Sequence, residues 1–167
     1  LQEGVDSAVR AAIRLVKEAG IDLLKLDGAA DYPEVVEALT RAGIPVWAQF
    51  GLTPQTALAS GIPYENQAGA TEAAAGMQER LIAEAKAMEA AGAVLLDFTN
   101  SGPVIGPKVV EAVSIPVIGG FGGGPWLDGR VRLAQAVVGY NIAALDKEPS
   151  GYANVARVIH DALSECA

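Results

Sequence analysis

The sequence predicts an α/β fold, a parallel sheet covered by helices. Three observations carry this. Amphipathic helical stripes alternate with short apolar strands, each helix stops at a Gly or a small-residue break, and the strands begin near residues 21, 44, 93 and 115. Near-continuous apolar strands of this kind are buried on both faces, which is the pattern of parallel sheets.

The first helix carries Val5, Val9, Ala12, Ile13 and Val16 on one stripe, with Arg10, Arg14 and Lys17 on the other side. Gly20 can take the left-handed conformation that ends it. The strand Ile21–Asp27 (IDLLKLD) follows. The second unit opens at Asp31 with Pro33 in its first turn. Its stripe is Val35, Val36, Leu39 and Ala42, Gly43 stops it, and Ile44–Phe50 (IPVWAQF) is its strand. The segment Gly51–Ala70 has Pro, Gly, Thr, Asn and Gln but little periodicity, and a long loop at this place is more often functional than not. A third helix starts near Thr71, with Met77, Leu81, Ala85 and Met88 on its stripe, and feeds Ala93–Phe98. A fourth starts near Pro107 and feeds Ile115–Ile118, which runs into Gly119-Gly120-Phe121-Gly122-Gly123-Gly124. Arg130–Gly139 reads either as a fifth strand or as a short helix. A last helix spans about residues 152–165, with Val155, Val158, Ile159, Ala162 and Leu163 as its stripe.

Four or five βα units suit either a doubly wound open sheet or part of a (β/α)8 barrel. A complete barrel usually needs about 200 residues or more, and the chain has 167. Either three strands lie upstream of Leu1 or the sheet is open. A single domain, a partial barrel over residues 1–167, is the expectation.

Composition narrows the function classes. Lys and Arg total 12 against 20 Asp and Glu, a formal charge of −8, which argues against a nucleic-acid binder with its basic stripe. Hydrophobic residues make up 51% and charged ones 19%, too apolar for disorder. The longest charge-free window, Ala42–Tyr64, is broken by Pro45, Pro54 and Pro63, so it is not a membrane span. The single cysteine, Cys166, allows no disulfide within the chain, and a cytoplasmic setting is expected.

In both candidate folds a ligand sits at the carboxyl ends of the strands, and these ends are polar. Alternation puts Lys25 and Asp27 on one side of the first strand. Together they can bind an anion and a metal respectively, or form a structural ion pair inside the sheet; burying both is costly without a return. Trp47 and Gln49 share a face of the second strand, where Gln49 either bonds a substrate carbonyl or caps the layer. Asp97 and Thr99 share a face of the third. Asp97, inside an apolar strand, is an acid/base or metal-network candidate, because burial raises a carboxyl pKa; the alternative is an Asp held by loop amides. Gly119 and Gly120 open a run that lets backbone N–H groups approach a phosphate or carboxylate, or that makes a tight turn. The run is neither GxGxxG nor a Walker loop. His160, the lone histidine, lies on the polar side of the last helix, which leaves no His-based triad within the chain.

At these strand ends, through KEAGIDLLKLDG, IPVWAQFGLTPQ, AMEAAGAVLLDF, SIPVIGGFGGG and the pair Asp128-Gly129, the sequence resembles the ketopantoate hydroxymethyltransferase family. The most specific part is GLTPQ with its upstream Lys-x-Asp strand. The resemblance implies a (β/α)8 TIM barrel of the phosphoenolpyruvate mutase and isocitrate lyase type, with residues 21–139 as strands four to eight and Arg130–Val138 as the last strand. It implies transfer of a hydroxymethyl group from methylenetetrahydrofolate to a 2-oxo acid, the reaction that forms ketopantoate on the way to pantothenate. A divalent metal, Mg²⁺ in the first instance, would be the cofactor and the tetrahydrofolate derivative a co-substrate. Lys25 would grip the oxo acid, Asp27 stands where the family has a metal-associated Glu, and the loop Gly51–Gly69 would cover the site. The family's two main metal-binding Asp residues belong to strands upstream of those matched. Its His before the FGLTPQ-type segment is Gln49, and its catalytic Glu aligns with Thr99. Asp97, one layer deeper on the same face, is then the candidate for the proton work. The expected enzyme is a metal-dependent transferase acting on an enolate. A 2-oxo or hydroxy acid C–C lyase without folate is a second reading, and a degenerate barrel subunit a third. The expected partners are a small 2-oxo acid and further copies of the chain, with no nucleic acid and no membrane.

Overall fold

The computed structural model describes residues 1–57, 59, 61–62, 77–120, 124–131, 133–140 and 153–165. The chain forms two compact units, Leu1–Arg130 and Val131–Ala167.

The first unit holds five parallel strands among its described residues: β1 (Leu24–Leu26), β2 (Val46–Gly51), β3 (Leu95–Thr99), β4 (Val117–Gly119) and β5 (Gly129–Arg130). Its helices are α1 (Val5–Arg14), α2 (Pro33–Arg41), a short α3 (Pro54–Ala57), α4 (Gln78–Ala90) and α5 (Gly102–Ala112). The strands lie in the order β1-β2-β3-β4-β5. A doubly wound sheet reverses its order at a switch point; this sheet does not. Successive right-handed crossovers in one direction put every helix on the same face, and the burial follows suit. Val46, Ala48, Phe50, Leu96, Phe98 and Val117 are buried in one core with Val35, Val36 and Leu39 of α2, Leu81, Ala85 and Met88 of α4, and Ile105 and Val109 of α5. The rings of Phe50 and Phe98 stack at 4.5 Å between centroids. The opposite face, with Trp47, Gln49, Leu95, Thr99 and Ile118, stays half-exposed. Sequential order with helices on one side is the arrangement of consecutive strands in a (β/α)8 barrel, so the open-sheet alternative is set aside.

Several boundaries differ from the sequence reading. The first strand is confined to Leu24–Leu26. The fourth helix starts at Gly102, not near Pro107, and carries Pro107 inside it. Pro107 removes the bond to the Pro103 carbonyl, but Pro103 is exposed and water can serve that oxygen. Arg130–Val138 is not a strand. Pairing with β4 stops at Arg130, and Ala134–Val137 is a helical turn, α6, of the second unit. Of the two readings of Arg130–Gly139, the short helix is the one seen at Ala134–Val137, and the strand implied by the resemblance ends at Arg130. The expected start of the third helix near Thr71, most of the loop after β2, Phe121–Gly123 and Cys166 lie outside the described residues. The second unit also contains α7 (Val155–Glu165), where His160 is exposed and within 3.0 Å of Asp161.

In α1, Val5 and Val9 pack on the core and Ala12 is buried, but Ile13, and Val16 in the π-helical turn Leu15–Ala19 that follows, both expected on the same buried stripe, are exposed. With Ile21, Ala42 and Ile44 they line a cleft of about 520 Å³ at the amino-terminal side of β1 and β2. Barrel chemistry occurs at the other end.

The segment after β2 explains why GLTPQT reads as a motif. Gly51 has φ +98°, and a Cβ there would lie 2.4 Å from the Thr99 carbonyl oxygen, so only glycine lets β2 run this close to β3. Leu52 enters the core. Thr53 then caps α3, with Pro54 following it. Its hydroxyl accepts from the Thr56 N–H at 3.3 Å, and the Thr56 hydroxyl accepts from the Thr53 N–H at 3.0 Å, a reciprocal cap. Asn100, at φ 58°, donates from its side-chain amide to the Leu52 carbonyl at 2.6 Å and ties the ends of β2 and β3 together.

Candidate active site

The polar residues on the half-exposed face converge because the register aligns them. Lys25 pairs with Trp47, and Trp47 with Leu95; one layer toward the carboxyl ends, Gln49 pairs with Asp97, and Asp97 with Ile118. The Lys25 side chain rises from the lower layer to the upper one. Its ammonium bonds the Asp27 carboxylate and lies 3.3 Å from Asp97 Oδ2. It also sits over the Trp47 ring, 5.3 Å from the centroid.

The burial of these groups reverses part of the sequence reading. Lys25 and Asp27 were expected to be buried together. The Lys25 side chain is 34% exposed and that of Asp27 61%, whereas Asp97 retains 12%. β1 is short and Asp27 lies beyond its last paired residue, while Asp97 sits between β2 and β4. The carboxyl of Asp97 is therefore held above the ordinary Asp range. Burial is the chief cause and the charge of Asp27 adds to it; the Lys25 ammonium and a hydrogen bond from Gln49 pull the other way.

A raised carboxyl has a consequence for stability. The folded pKa lies above the ordinary 3.8, so the folded state favours the neutral acid. The contribution is fully present below the ordinary value and is lost as pH rises through the folded one. Replacing Asp97 by Asn should thus raise the melting temperature relative to the wild type at neutral pH and leave it nearly unchanged below pH 3.8. Paired thermal melts across that range check this; a difference independent of pH would mean that Asp97 ionises normally.

The other candidates are placed as follows. Thr99 pairs with Gly51 at the last step of β2–β3, one layer above Asp97 on the same face. Gln49 directs its amide to Asp97, and its Oε1 is buried without a hydrogen-bond partner among the described residues. Gly119 pairs with Phe98 in the layer under the helices, where a Cβ would lie 2.9 Å from the Phe98 carbonyl oxygen and from Leu127. Packing alone accounts for that glycine. Gly120 is exposed with open space around it. Asp128 accepts a hydrogen bond from the Val117 N–H at 2.8 Å and so joins the start of β4 to the approach to β5.

Among the described residues no three His, Cys, Asp or Glu side chains gather to hold a metal. Asp27 and Asp97 are both engaged by the Lys25 ammonium. These residues by themselves do not fit a divalent-metal site. What they do form is a cation beside a buried, proton-seeking carboxylate, an arrangement able to hold an anion and accept a proton from it. Trp47 is the participant that the sequence reading passed over. Its placement beneath Lys25 depends on the register between two strands, which no local pattern reveals.

A sequentially ordered parallel sheet with helices on one face and a charged cluster at the carboxyl ends is the architecture of part of a (β/α)8 barrel. The comparisons with known proteins narrow this. The model of the family described as ketopantoate hydroxymethyltransferase matches residues 1–167, and the chain belongs to that family. The 3-methyl-2-oxobutanoate hydroxymethyltransferase of Halalkalibacterium halodurans is 38% identical over 92% of this chain and 53% of the relative. Its namesake from Geobacillus sp. is 36% identical over 96% and 55%, and that from Pyrobaculum aerophilum 37% over 98% and 60%. The chain thus spans little more than half the length of the curated relatives it matches. Among solved structures, a chain of the Amycolatopsis orientalis BexX/CysO complex overlays with a TM-score of 0.49 at 19% identity, covering 86% of this chain and 55% of that one. No helix among the described residues is long and apolar enough to cross a membrane.

Proposed function

We propose that this chain binds a 2-oxo acid and removes the proton next to its ketone, as the first half of hydroxymethyl transfer to 3-methyl-2-oxobutanoate. The observation that carries the reading is the Lys25 ammonium set against the buried Asp97 at the carboxyl ends of β1 and β3. The ammonium attracts the acid's carboxylate or keto oxygen and stabilises the negative charge that grows on that oxygen as the C–H bond breaks. Asp97 accepts the proton; its raised affinity for protons suits it to a weakly acidic C–H. Water would release the one-carbon unit of methylenetetrahydrofolate as formaldehyde, leaving tetrahydrofolate; the enolate carbon adds to that carbonyl, and the alkoxide formed takes back the proton from Asp97. The names of the relatives support the hydroxymethyl acceptor, and a second copy of the chain is the proposed partner.

The test is an assay of the purified protein with 3-methyl-2-oxobutanoate, with and without methylenetetrahydrofolate. Ketopantoate formed only with the folate supports the reading. Proton exchange that ends in C–C cleavage without folate would assign a lyase instead, and no binding of the oxo acid would leave the chain without this activity.

A further inference from the structure

Lys25 has three close neighbours of two kinds. Asp27 and Asp97 carry negative charge; the Trp47 ring carries none. An arriving carboxylate is repelled by the first two and competes with them for the ammonium. It need not displace the ring, which attracts the cation through its quadrupole. The indole N–H is buried and has no hydrogen-bond partner among the described residues, so among these packing and the cation set the ring's orientation. The contact is built into the sheet, since Lys25 and Trp47 are partners in the β1–β2 register.

We infer that Trp47 is a positioning residue: its ring face holds the Lys25 ammonium in reach of an anionic substrate through a contact that the substrate does not have to break. This rests on the function proposed above. The ammonium already engages both carboxylates; without the ring it loses the one contact that remains when an oxo acid draws it off them.

The experiment uses the full chain with Trp47→Met, which keeps bulk without a π face, and Trp47→Phe, which keeps a ring. In NMR spectra of lysine-labelled protein, the Lys25 ε-methylene signals, assigned by their loss in Lys25→Arg, should lie upfield of those of exposed lysines in the wild type. The shift should persist in Trp47→Phe and vanish in Trp47→Met. Calorimetry with 3-methyl-2-oxobutanoate should show affinity about fivefold weaker for Trp47→Met and within about twofold of wild type for Trp47→Phe. A wild-type Lys25 signal without ring-current shift overturns the inference, whether or not the variants fold. So does full affinity in Trp47→Met, or a Trp47→Phe as weak as Trp47→Met. Failure of the wild type to bind the oxo acid at all overturns the proposed function and this inference with it, whereas binding that ignores residue 47 overturns this inference alone.

Discussion

Asp97→Asn should abolish hydrogen–deuterium exchange at the carbon next to the ketone of 3-methyl-2-oxobutanoate. The expected loss is about a hundred- to ten-thousandfold, the usual contribution of a positioned general base. Asn matches the size of Asp97 and can keep a bond to Gln49, so the fold should survive. Lys25 retains Asp27 as a partner, so binding of the oxo acid should persist and even strengthen, because one competing anion is gone. Exchange followed by proton NMR, together with calorimetry on the same sample, separates the chemical step from binding. Unchanged exchange would remove Asp97 from the mechanism and turn attention to Thr99, which shares its face one layer above.

The second large effect is expected at Lys25. Lys25→Met should weaken oxo acid binding by about tenfold to a hundredfold, the loss of a charge-assisted contact. It should also change the protein in the absence of ligand. The ammonium is the main influence holding the Asp97 carboxyl down against burial, so removing it drives that carboxyl further upward. Asp97 then becomes more costly to ionise. The melting temperature of Lys25→Met should accordingly fall below wild type at pH 8, with the gap closing in acid, where Asp97 is protonated in both proteins. Adding Asp97→Asn to Lys25→Met should recover most of the deficit at pH 8, since no buried carboxylate is left unpaired. Additive losses in the double variant would show that the two side chains do not act as a pair.

These two outcomes concern residues that the sequence singled out, yet for partly different reasons. Alternation along each strand was enough to put Lys25 on a face with Asp27, and Asp97 with Thr99, because side-chain direction in a strand depends only on parity. The helix stripes at Val35, Val36 and Leu39, and at Leu81, Ala85 and Met88, were legible in the same way and are buried in the core. The polar signature GLTPQ was visible as a motif. Its cause, a glycine pressed against the Thr99 carbonyl and a reciprocal threonine cap, was not.

Where local pattern failed, a neighbour decided. Ile13 and Val16 continue an apolar stripe but stay exposed on a cleft, and the strand pairing ends at Arg130, before Val131 and Leu133. Pro107 looked like a helix start because its ring is tolerated there, but the helix begins five residues earlier and water can meet the freed carbonyl.

What the sequence determined by itself was the alternation of helix and strand, the faces of the strands and the chemistry at their ends, all of which follow from short-range periodicity. Tertiary structure alone decided the strand order, which excludes the doubly wound sheet, and the register that sets Lys25 over Trp47 and within reach of Asp97. It also decided which carboxylate is buried. Asp27 and Asp97 are the same residue type, and alternation along the sequence treats them alike. Asp27 lies past the paired end of β1 and stays solvated, whereas Asp97 sits between two strands, and burial raises its affinity for a proton.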